Sequence, residues 1–135
     1  MAKRPDPKYV AENLKFLEQL KNDPDVIVFD SGVICRIIEN GSGTATPKLN
    51  SLVSVHYRGT LIDGSEFDST LGDGFPATFR LREVIEGWQI ALQNMHVGDT
   101  WKIYIPASLG YGPQSIDGIP GGSTLIFEVS LLSIN

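Results

Sequence analysis

The chain has 135 residues, of which 41% are apolar and 20% charged, and its formal net charge is -5. A chain of this length buries enough surface to form one domain without disulfides or structural metals. A single cysteine closes no intrachain disulfide, and the two histidines, His56 and His96, make no zinc ligand set. Sixteen acidic against 11 basic residues argue against a nucleic-acid surface, and no apolar run approaches the roughly 20 residues that cross a bilayer. We therefore expect no metal, no cofactor, no nucleic-acid partner and no membrane span.

The first predicted element is an amphipathic helix over residues 7–21. Asp6 is a typical N-cap, and Pro7 suits the first helical position. Three apolar residues follow at spacings of four and three and form one stripe: Val10, Leu14 and Leu17. Such a stripe docks either on its own domain or on a second copy of the chain. Phe16 lies off the main stripe and keeps the second alternative open.

From Val26 onward, apolar and polar residues alternate, which is typical of β-strands. Turn signals separate the predicted strands at Asp30-Ser31-Gly32, Asn40-Gly41 and Asp63-Gly64. This change of pattern predicts an N-terminal helical extension, residues 1–24, and a main domain, residues 25–135. Alternation puts Cys35 on an apolar face, so we interpret it as a small buried side chain and not as a reactive thiol.

One long helical pattern occurs in the main domain, from Val84 to Met95, and Gly98-Asp99 ends it. The last two predicted strands turn apolar residues inward at alternate positions: Trp101, Ile103 and Ile105, then Leu125, Phe127, Val129 and Leu131. Between them lies a loop, residues 107–123, with five glycines and two prolines. Loops of this length in compact domains are usually functional. The elements predict an α+β domain of antiparallel strands and one short helix, with the loop over one end.

Motifs for covalent and nucleotide chemistry are missing from the sequence. There is no G-x-S-x-G elbow, and the glycines after Pro120 lead into a strand without the Lys-Ser/Thr of a phosphate-binding loop. Aromatic residues remain; four point inward by periodicity and a fifth lies in the long loop: Tyr57, Phe67, Trp88, Phe127 and Tyr111. Singly, each is ordinary core, but together they predict a cup for an uncharged apolar ligand such as a proline ring. Asp68 reaches the rim of this cup if its strand ends or bulges there.

Six collinear segments closely resemble the successive signatures of FKBP-type peptidyl-prolyl isomerases. They are residues 55–61 (VHYRGTL), 64–69 (GSEFDS), 84–88 (VIEGW), 110–113 (GYGP), 119–120 (IP) and 124–129 (TLIFEV). The resemblance covers roughly residues 31–135, and it implies a curved antiparallel β-sheet wrapped around one short α-helix. Residues 76–79 (PATF), the N-terminal helix and the hairpin before the main body resemble the bacterial Mip/FkpA-like branch. That branch carries a helical dimerisation arm, but the helix here is short, so a homodimer through it is left open.

The resemblance also implies which residues form the site. It makes Tyr57, Asp68 and Tyr111 the catalytic residues. The implied substrate-binding residues form the floor, walls, rim and closing loop of a pocket: Trp88; Phe67, Phe79 and Phe127; Val84 and Ile85; and Ile119. Two groups are implied donors to ligand carbonyls, namely the backbone N–H of Ile85 and the hydroxyl of Tyr111.

The implied activity is isomerisation of X-Pro bonds in peptides and unfolded proteins, by rotation without covalent chemistry. Immunosuppressant-type macrolides are implied ligands. The alternative is a non-catalytic module that uses the same pocket to bind a partner or to hold unfolded chain as a chaperone. Two departures from the family pattern bear on specificity. Gly121-Gly122 is expected to loosen the loop, and Phe75 either adds an exposed apolar contact or caps the core.

The sequence leaves the compartment open between two alternatives. Residues 1–5 lead into no hydrophobic signal core, and if no leader has been removed we expect the cytoplasm. If a leader has been removed, we expect the bacterial periplasm or cell envelope.

Overall fold

The computed structural model describes residues 5–72 and 74–135. Two sequence predictions concern residues 1–4, which lie outside the described range. They are the lack of a signal core and the first part of the N-terminal extension. Within that range, no helix is long and apolar enough to cross a membrane.

Helix α1 spans Pro7–Leu20 and begins as the sequence predicts. Asp6 precedes it in an extended conformation, and its carboxylate accepts a hydrogen bond from the N–H of Lys8 at 3.0 Å. This bond satisfies one of the N–H groups that the first turn of a helix leaves without a partner.

The docked face of α1 differs from the predicted apolar stripe. Leu17 is buried, but Leu14 is 59% exposed, and the centre of the docked face is Asn13, which is 2% exposed. Phe16, which the sequence left for a partner helix, faces the sheet with its ring 6.1 Å from that of Tyr104. The predicted stripe is wrong at Leu14, because a hydrogen-bonded polar residue, Asn13, completes the contact instead.

Seven strands form one antiparallel sheet. They are β1 (Val26–Val28), β2 (Ile34–Glu39), β3 (Leu52–Thr60), β4 (Glu66–Ser69), β5 (Ala77–Arg80), β6 (Thr100–Ile105) and β7 (Leu125–Ile134). Their order is β1-β2-β6-β7-β3-β4, and β5 also pairs with β3. Strand β3 is therefore central: β7 runs along one edge, and β4 and β5 share the other.

Helix α2 spans only Glu86–Leu92, so the predicted helix from Val84 to Met95 is too long at both ends. A 3-10 turn over Leu81–Glu83 comes first, and Ile85 is extended at ψ 150° before α2 begins. The extended backbone at Val84 and Ile85 therefore separates the 3-10 turn from α2, and neither residue belongs to the helix.

Gly87 sets the distance between α2 and the sheet. A Cβ at this position would lie 2.5 Å from the side chain of Ile105 on β6, closer than real Cβ atoms come to a neighbour. Trp88 and Leu92 of the same helix are buried, as the sequence predicts. The short helix is held by this packing, since a seven-residue helix has little stability of its own.

The sheet has apolar clusters on both faces. The inner cluster joins α2 to the inward residues of the last two strands and to β3, as alternation predicts. The smaller outer cluster consists of Leu17, Ile34, Tyr104 and Ile126, with Phe16 and Leu20 packed at its edge. The predicted α+β fold, a curved antiparallel sheet around a short helix with a preceding N-terminal helix, is confirmed.

Cys35 belongs to the inner cluster and is completely buried. Burial raises the pKa of its thiol to about 12, because the thiolate loses its hydration there. The thiol stays protonated at neutral pH and packs as a small apolar group, as the sequence predicts.

Candidate active site

A cavity of about 330 Å³ opens between the inner face of the sheet and the long loop. It is lined by residues from β3, β4, β5, the start of α2, the loop and β7: Tyr57, Asp68, Phe79, Glu83, Val84, Ile85, Trp88, Tyr111 and Phe127. A volume of this order is at the small end of ligand pockets.

Trp88 lies beneath this cavity and is 4% exposed. Three rings meet its indole edge to face: Tyr57 at 5.2 Å, Phe79 at 5.8 Å and Phe127 at 5.2 Å between centroids. Aromatic rings prefer this geometry because the positive edge of one faces the negative face of another. The indole Nε1 has no hydrogen-bond partner among the described residues. The floor of the cavity is thus rigid and apolar.

The polar edge of the cavity is a hydrogen-bonded pair. The hydroxyl of Tyr57 donates to Oδ2 of Asp68 at 2.6 Å, and Oδ1 of Asp68 accepts from the N–H of Ser69 at 2.9 Å. Burial raises the pKa of Tyr57 well above its usual value, and the hydrogen bond to the carboxylate raises it further. Tyr57 therefore remains a protonated donor throughout the neutral pH range.

A bulge in β4 brings Asp68 to the cavity. Gly59 pairs with Asp68 and Thr60 with Glu66, so the register shifts by one residue and Phe67 is the extra one. A bulge re-aims the side chains beside it. The sequence predicts Asp68 at the rim if its strand ends or bulges there, and the strand bulges at Phe67.

Phe67, predicted as a wall, does not line the cavity. Its ring packs edge to face on Phe127, 5.4 Å between centroids, and so supports that wall from behind. Gly59 makes room for this pair, because a Cβ there would lie 2.7 Å from the ring of Phe67 and 2.9 Å from that of Phe127.

The long loop contributes Tyr111, which is 37% exposed. Its pKa is raised by burial first, and then by the negative charges of Asp68 and Asp117. Ile119, predicted to close over the pocket, is buried in the inner cluster and does not line the cavity. The loop thus anchors itself in the core through Ile119 and presents Tyr111.

The rim at the start of α2 is held by Gln89. Its side-chain amide donates to the carbonyl oxygen of Val84 at 2.8 Å and to that of Arg82 at 3.2 Å. The N–H of Ile85 has no hydrogen-bond acceptor among residues 5–72 and 74–135, so a donor is available at the rim.

Residues 43–132 match the family of FKBP-type peptidyl-prolyl cis-trans isomerases. The chain belongs to this family. It is 48% identical over 120 residues to outer membrane protein MIP of Legionella longbeachae, an alignment that covers 88% of this chain and 51% of that protein. The predicted resemblance to Mip- and FkpA-like proteins is confirmed.

Solved structures also superpose closely on this chain. FkpA from Escherichia coli gives a TM-score of 0.89 at 38% identity, over 95% of this chain and 60% of that one. A peptidyl-prolyl cis-trans isomerase from Pseudomonas syringae gives 0.88 at 32% identity, over 100% of this chain and 99% of that one. This FKBP-type chain spans about half the length of the curated relatives it matches, for example 51% of the Legionella protein.

The structure gathers eight of the ten predicted site residues around the cavity of this FKBP-type domain, leaving Phe67 and Ile119 behind it. Sequence reasoning missed Glu83, an exposed rim residue whose only signal is its place next to Val84. Phe75 is 74% exposed, so it does not cap the core. Among the described residues, no three His, Cys, Asp or Glu side chains are placed to hold a metal ion.

Proposed function

We propose that the chain accelerates cis–trans rotation of X-Pro bonds in peptides and unfolded proteins. The observation that carries this proposal is the cavity floor: one indole held by three edge-on rings, with the hydrogen-bonded pair of Tyr57 and Asp68 at its edge. A proline ring is uncharged, compact and apolar, and it fits such a floor. Family membership supports the same activity.

Rotation about an X-Pro bond breaks no covalent bond. Its barrier of about 18–20 kcal/mol is the resonance energy that the amide loses when it twists. The carbonyl of a twisted amide is less polar than that of a planar one, so a water-poor aromatic site stabilises the twisted form relative to water. Trp88, Phe79 and Phe127 provide these surroundings.

Polar groups at the rim hold the peptide while the bond turns. In this proposal, the N–H of Ile85 and the hydroxyl of Tyr111 bind carbonyl oxygens of the substrate. The raised pKa values of Tyr57 and Tyr111 keep both phenols protonated near neutral pH. In this mechanism they orient the substrate and do not transfer protons.

A protease-coupled assay on a short X-Pro peptide tests the proposal. The wild-type chain should accelerate isomerisation, and Tyr111→Phe should lower kcat/KM by about tenfold, the worth of one hydrogen bond to substrate. Activity unchanged in Tyr111→Phe would contradict the role of its hydroxyl. No acceleration by the wild-type chain would contradict the function itself.

Immunosuppressant-type macrolides are proposed as competing ligands of the same cavity. Such a ligand needs an apolar floor for a ring and donors for its carbonyls, which Trp88, Ile85 and Tyr111 offer. A macrolide that binds elsewhere would leave the KM for an X-Pro peptide unchanged, whereas competition at the cavity raises it.

The second candidate function is a non-catalytic module that holds unfolded chain. Exposed apolar side chains favour it: Leu71 is 61% and Phe75 74% exposed, on the segment that joins β4 to β5. Peptide binding without any acceleration of isomerisation would support this candidate. Acceleration at catalytic concentrations would exclude a purely non-catalytic role.

We propose that the chain is monomeric. Two apolar side chains of α1, Leu17 and Phe16, pack against the chain's own sheet, although Leu14 of the predicted stripe is exposed. Light scattering should give the mass of one chain, and twice that mass would contradict the proposal.

A further inference from the structure

Helix α1 is joined to the end of the cavity loop by two hydrogen-bonded contacts, one partly buried and one buried. The hydroxyls of Tyr9 and Ser123 lie 2.8 Å apart, and Oγ of Ser123 donates to the carbonyl oxygen of Pro120 at 2.6 Å. Because a serine hydroxyl has one proton, Tyr9 is the donor in its contact with Ser123. Through Ser123, Tyr9 is therefore linked to the backbone carbonyl of Pro120 in the loop.

The second contact is made by Asn13. Its Oδ1 accepts from the N–H of Thr124 at 2.7 Å, and its Nδ2 donates to the carbonyl oxygen of Tyr9 at 2.8 Å. Asn13 and Thr124 are 2% and 1% exposed. An amide used at both ends and shielded from water fixes the position of the helix relative to the loop.

The end of the loop is also packed tightly against α1. A Cβ at Gly122, whose φ is +81°, would lie 2.6 Å from the side chain of Val10, and a Cβ at Gly121 would overlap the carbonyl of Pro113. The two glycines were expected to loosen the loop. In the structure they permit close approach, of Val10 to Gly122 and of Pro113 to Gly121. The helix, the first part of the loop and its end therefore meet in one region.

Hydrogen bonds within the loop extend this contact to the cavity. The N–H of Gly122 donates to the carbonyl oxygen of Gly112 at 3.0 Å, and the N–H of Gly121 donates to Oγ of Ser115 at 3.1 Å. Gly112 directly follows Tyr111, which lines the cavity. A short chain of contacts thus runs from α1 through Gly122 to the backbone beside Tyr111.

We propose that Tyr9 and Asn13 are positioning residues of the isomerase site, which hold Tyr111 at the cavity through Ser123, Thr124 and the glycines. This inference rests on the proposed isomerase function. It makes α1 a working part of the isomerase and not only an extension in front of it. Neither side chain lines the cavity, so both act without touching the substrate.

The test uses the full chain with Tyr9→Phe, Asn13→Leu and the control Leu14→Ala, which changes an exposed residue of the same helix. Isomerisation of an X-Pro peptide, hydrogen exchange of individual amides and thermal unfolding are measured for each. We expect kcat/KM to fall about threefold in Tyr9→Phe, which removes one hydrogen bond, and about tenfold in Asn13→Leu, which removes two. In both variants, the amides of Gly121 and Gly122 should exchange faster than in the wild-type chain, whereas the amides of β3 should exchange at the wild-type rate. In the control variant, exchange should be unchanged throughout.

Three results would overturn the inference. The first is a kcat/KM of both variants equal to that of Leu14→Ala, and the second is lower activity without a change in hydrogen exchange of the loop. The third is faster hydrogen exchange throughout the chain with a lower Tm and an unchanged kcat/KM. If Asn13→Leu does not fold, Tyr9→Phe, which loses one hydroxyl, decides. If the wild-type chain shows no isomerase activity, the proposed function fails. In that case two other measurements test the inference: hydrogen exchange of the loop amides, and the change in Trp88 fluorescence when a proline peptide binds.

Discussion

The two faces of the sheet hold their helices by different means. On the inner face, the seven residues of α2 are packed among aromatic and aliphatic side chains, and Gly87 brings the helix backbone against Ile105. On the outer face, the 14 residues of α1 bury one leucine and attach through the polar side chains of Tyr9 and Asn13. Apolar packing thus builds the cavity, and hydrogen bonds orient the helix behind its loop.

The largest expected effect is on the inner face, where Trp88→Ala removes the cavity floor. We expect the free energy of unfolding to fall by about 3–5 kcal/mol. A ligand ring also loses apolar contact worth about 1.5–3 kcal/mol, so kcat/KM should fall by roughly tenfold to a hundredfold. Chemical denaturation and the peptide assay measure the two effects.

Trp101→Ala is the matched control for this change. Trp101 is a second buried tryptophan of the inner cluster, 5% exposed, and it does not line the cavity. Its loss should destabilise the fold by a similar amount and leave the activity of the folded fraction intact. Equal losses of activity in the two variants would mean that Trp88 serves only as core.

Gly59→Ala is the next largest change, because it disturbs the support of a wall without touching the floor. The new Cβ meets the rings of Phe67 and Phe127, which must shift at a cost of about 1–3 kcal/mol. We expect KM to rise more than kcat falls, since a displaced wall weakens binding. Gly72→Ala is the control, because its Cβ would enter open space. A wild-type KM in Gly59→Ala would show that the wall tolerates displacement.

These differences also explain which parts the sequence could predict. The inward residues of β6 and β7 follow alternation and are predicted from it, and Trp88 is predicted from the helical pattern between Val84 and Met95. Asp68 lines the cavity because of a bulge in β4 that no residue pattern predicts. On the outer face, Tyr104 and Ile126 occupy outward positions that alternation assigns to solvent, and they are buried in the outer cluster together with Leu17 of α1.

The position of Asn13 shows the same limit. Periodicity favours an apolar stripe through Leu14, whereas the docked face is centred on an amide whose partner, the N–H of Thr124, is 111 residues away. Local patterns do not record a long-range hydrogen bond. The family resemblance, in contrast, carries such long-range information, and eight of the ten site residues that it implies line the cavity, while it leaves the docking of α1 open.

A smaller effect is expected from the polar edge of the cavity. Tyr57→Phe and Asp68→Asn each remove or weaken one hydrogen bond, and a double-mutant cycle should give a coupling of about 1 kcal/mol in transition-state stabilisation. Positive coupling would show that Tyr57 and Asp68 act as one unit. Strictly additive losses would contradict this, because each group would then act on the substrate separately.

The smallest effect concerns pH in the neutral range, where we expect none on kcat. The pKa of Tyr57 and that of Tyr111 are raised, so both stay protonated, and a bell-shaped profile near neutrality would instead indicate proton transfer. Above the neutral range, stability should fall in alkali. The buried Cys35 thiol keeps its proton to about pH 12 in the folded chain, whereas the unfolded chain releases it near its ordinary value of 9.0. The folded state binds more protons between these values, so the free energy of unfolding is constant below the lower value and falls as pH rises above it. Tyr57 adds to this loss above its ordinary value of 10.0. Cys35→Ala should delay the onset of the fall, and an unchanged alkaline profile in that variant would mean that Cys35 does not titrate on unfolding.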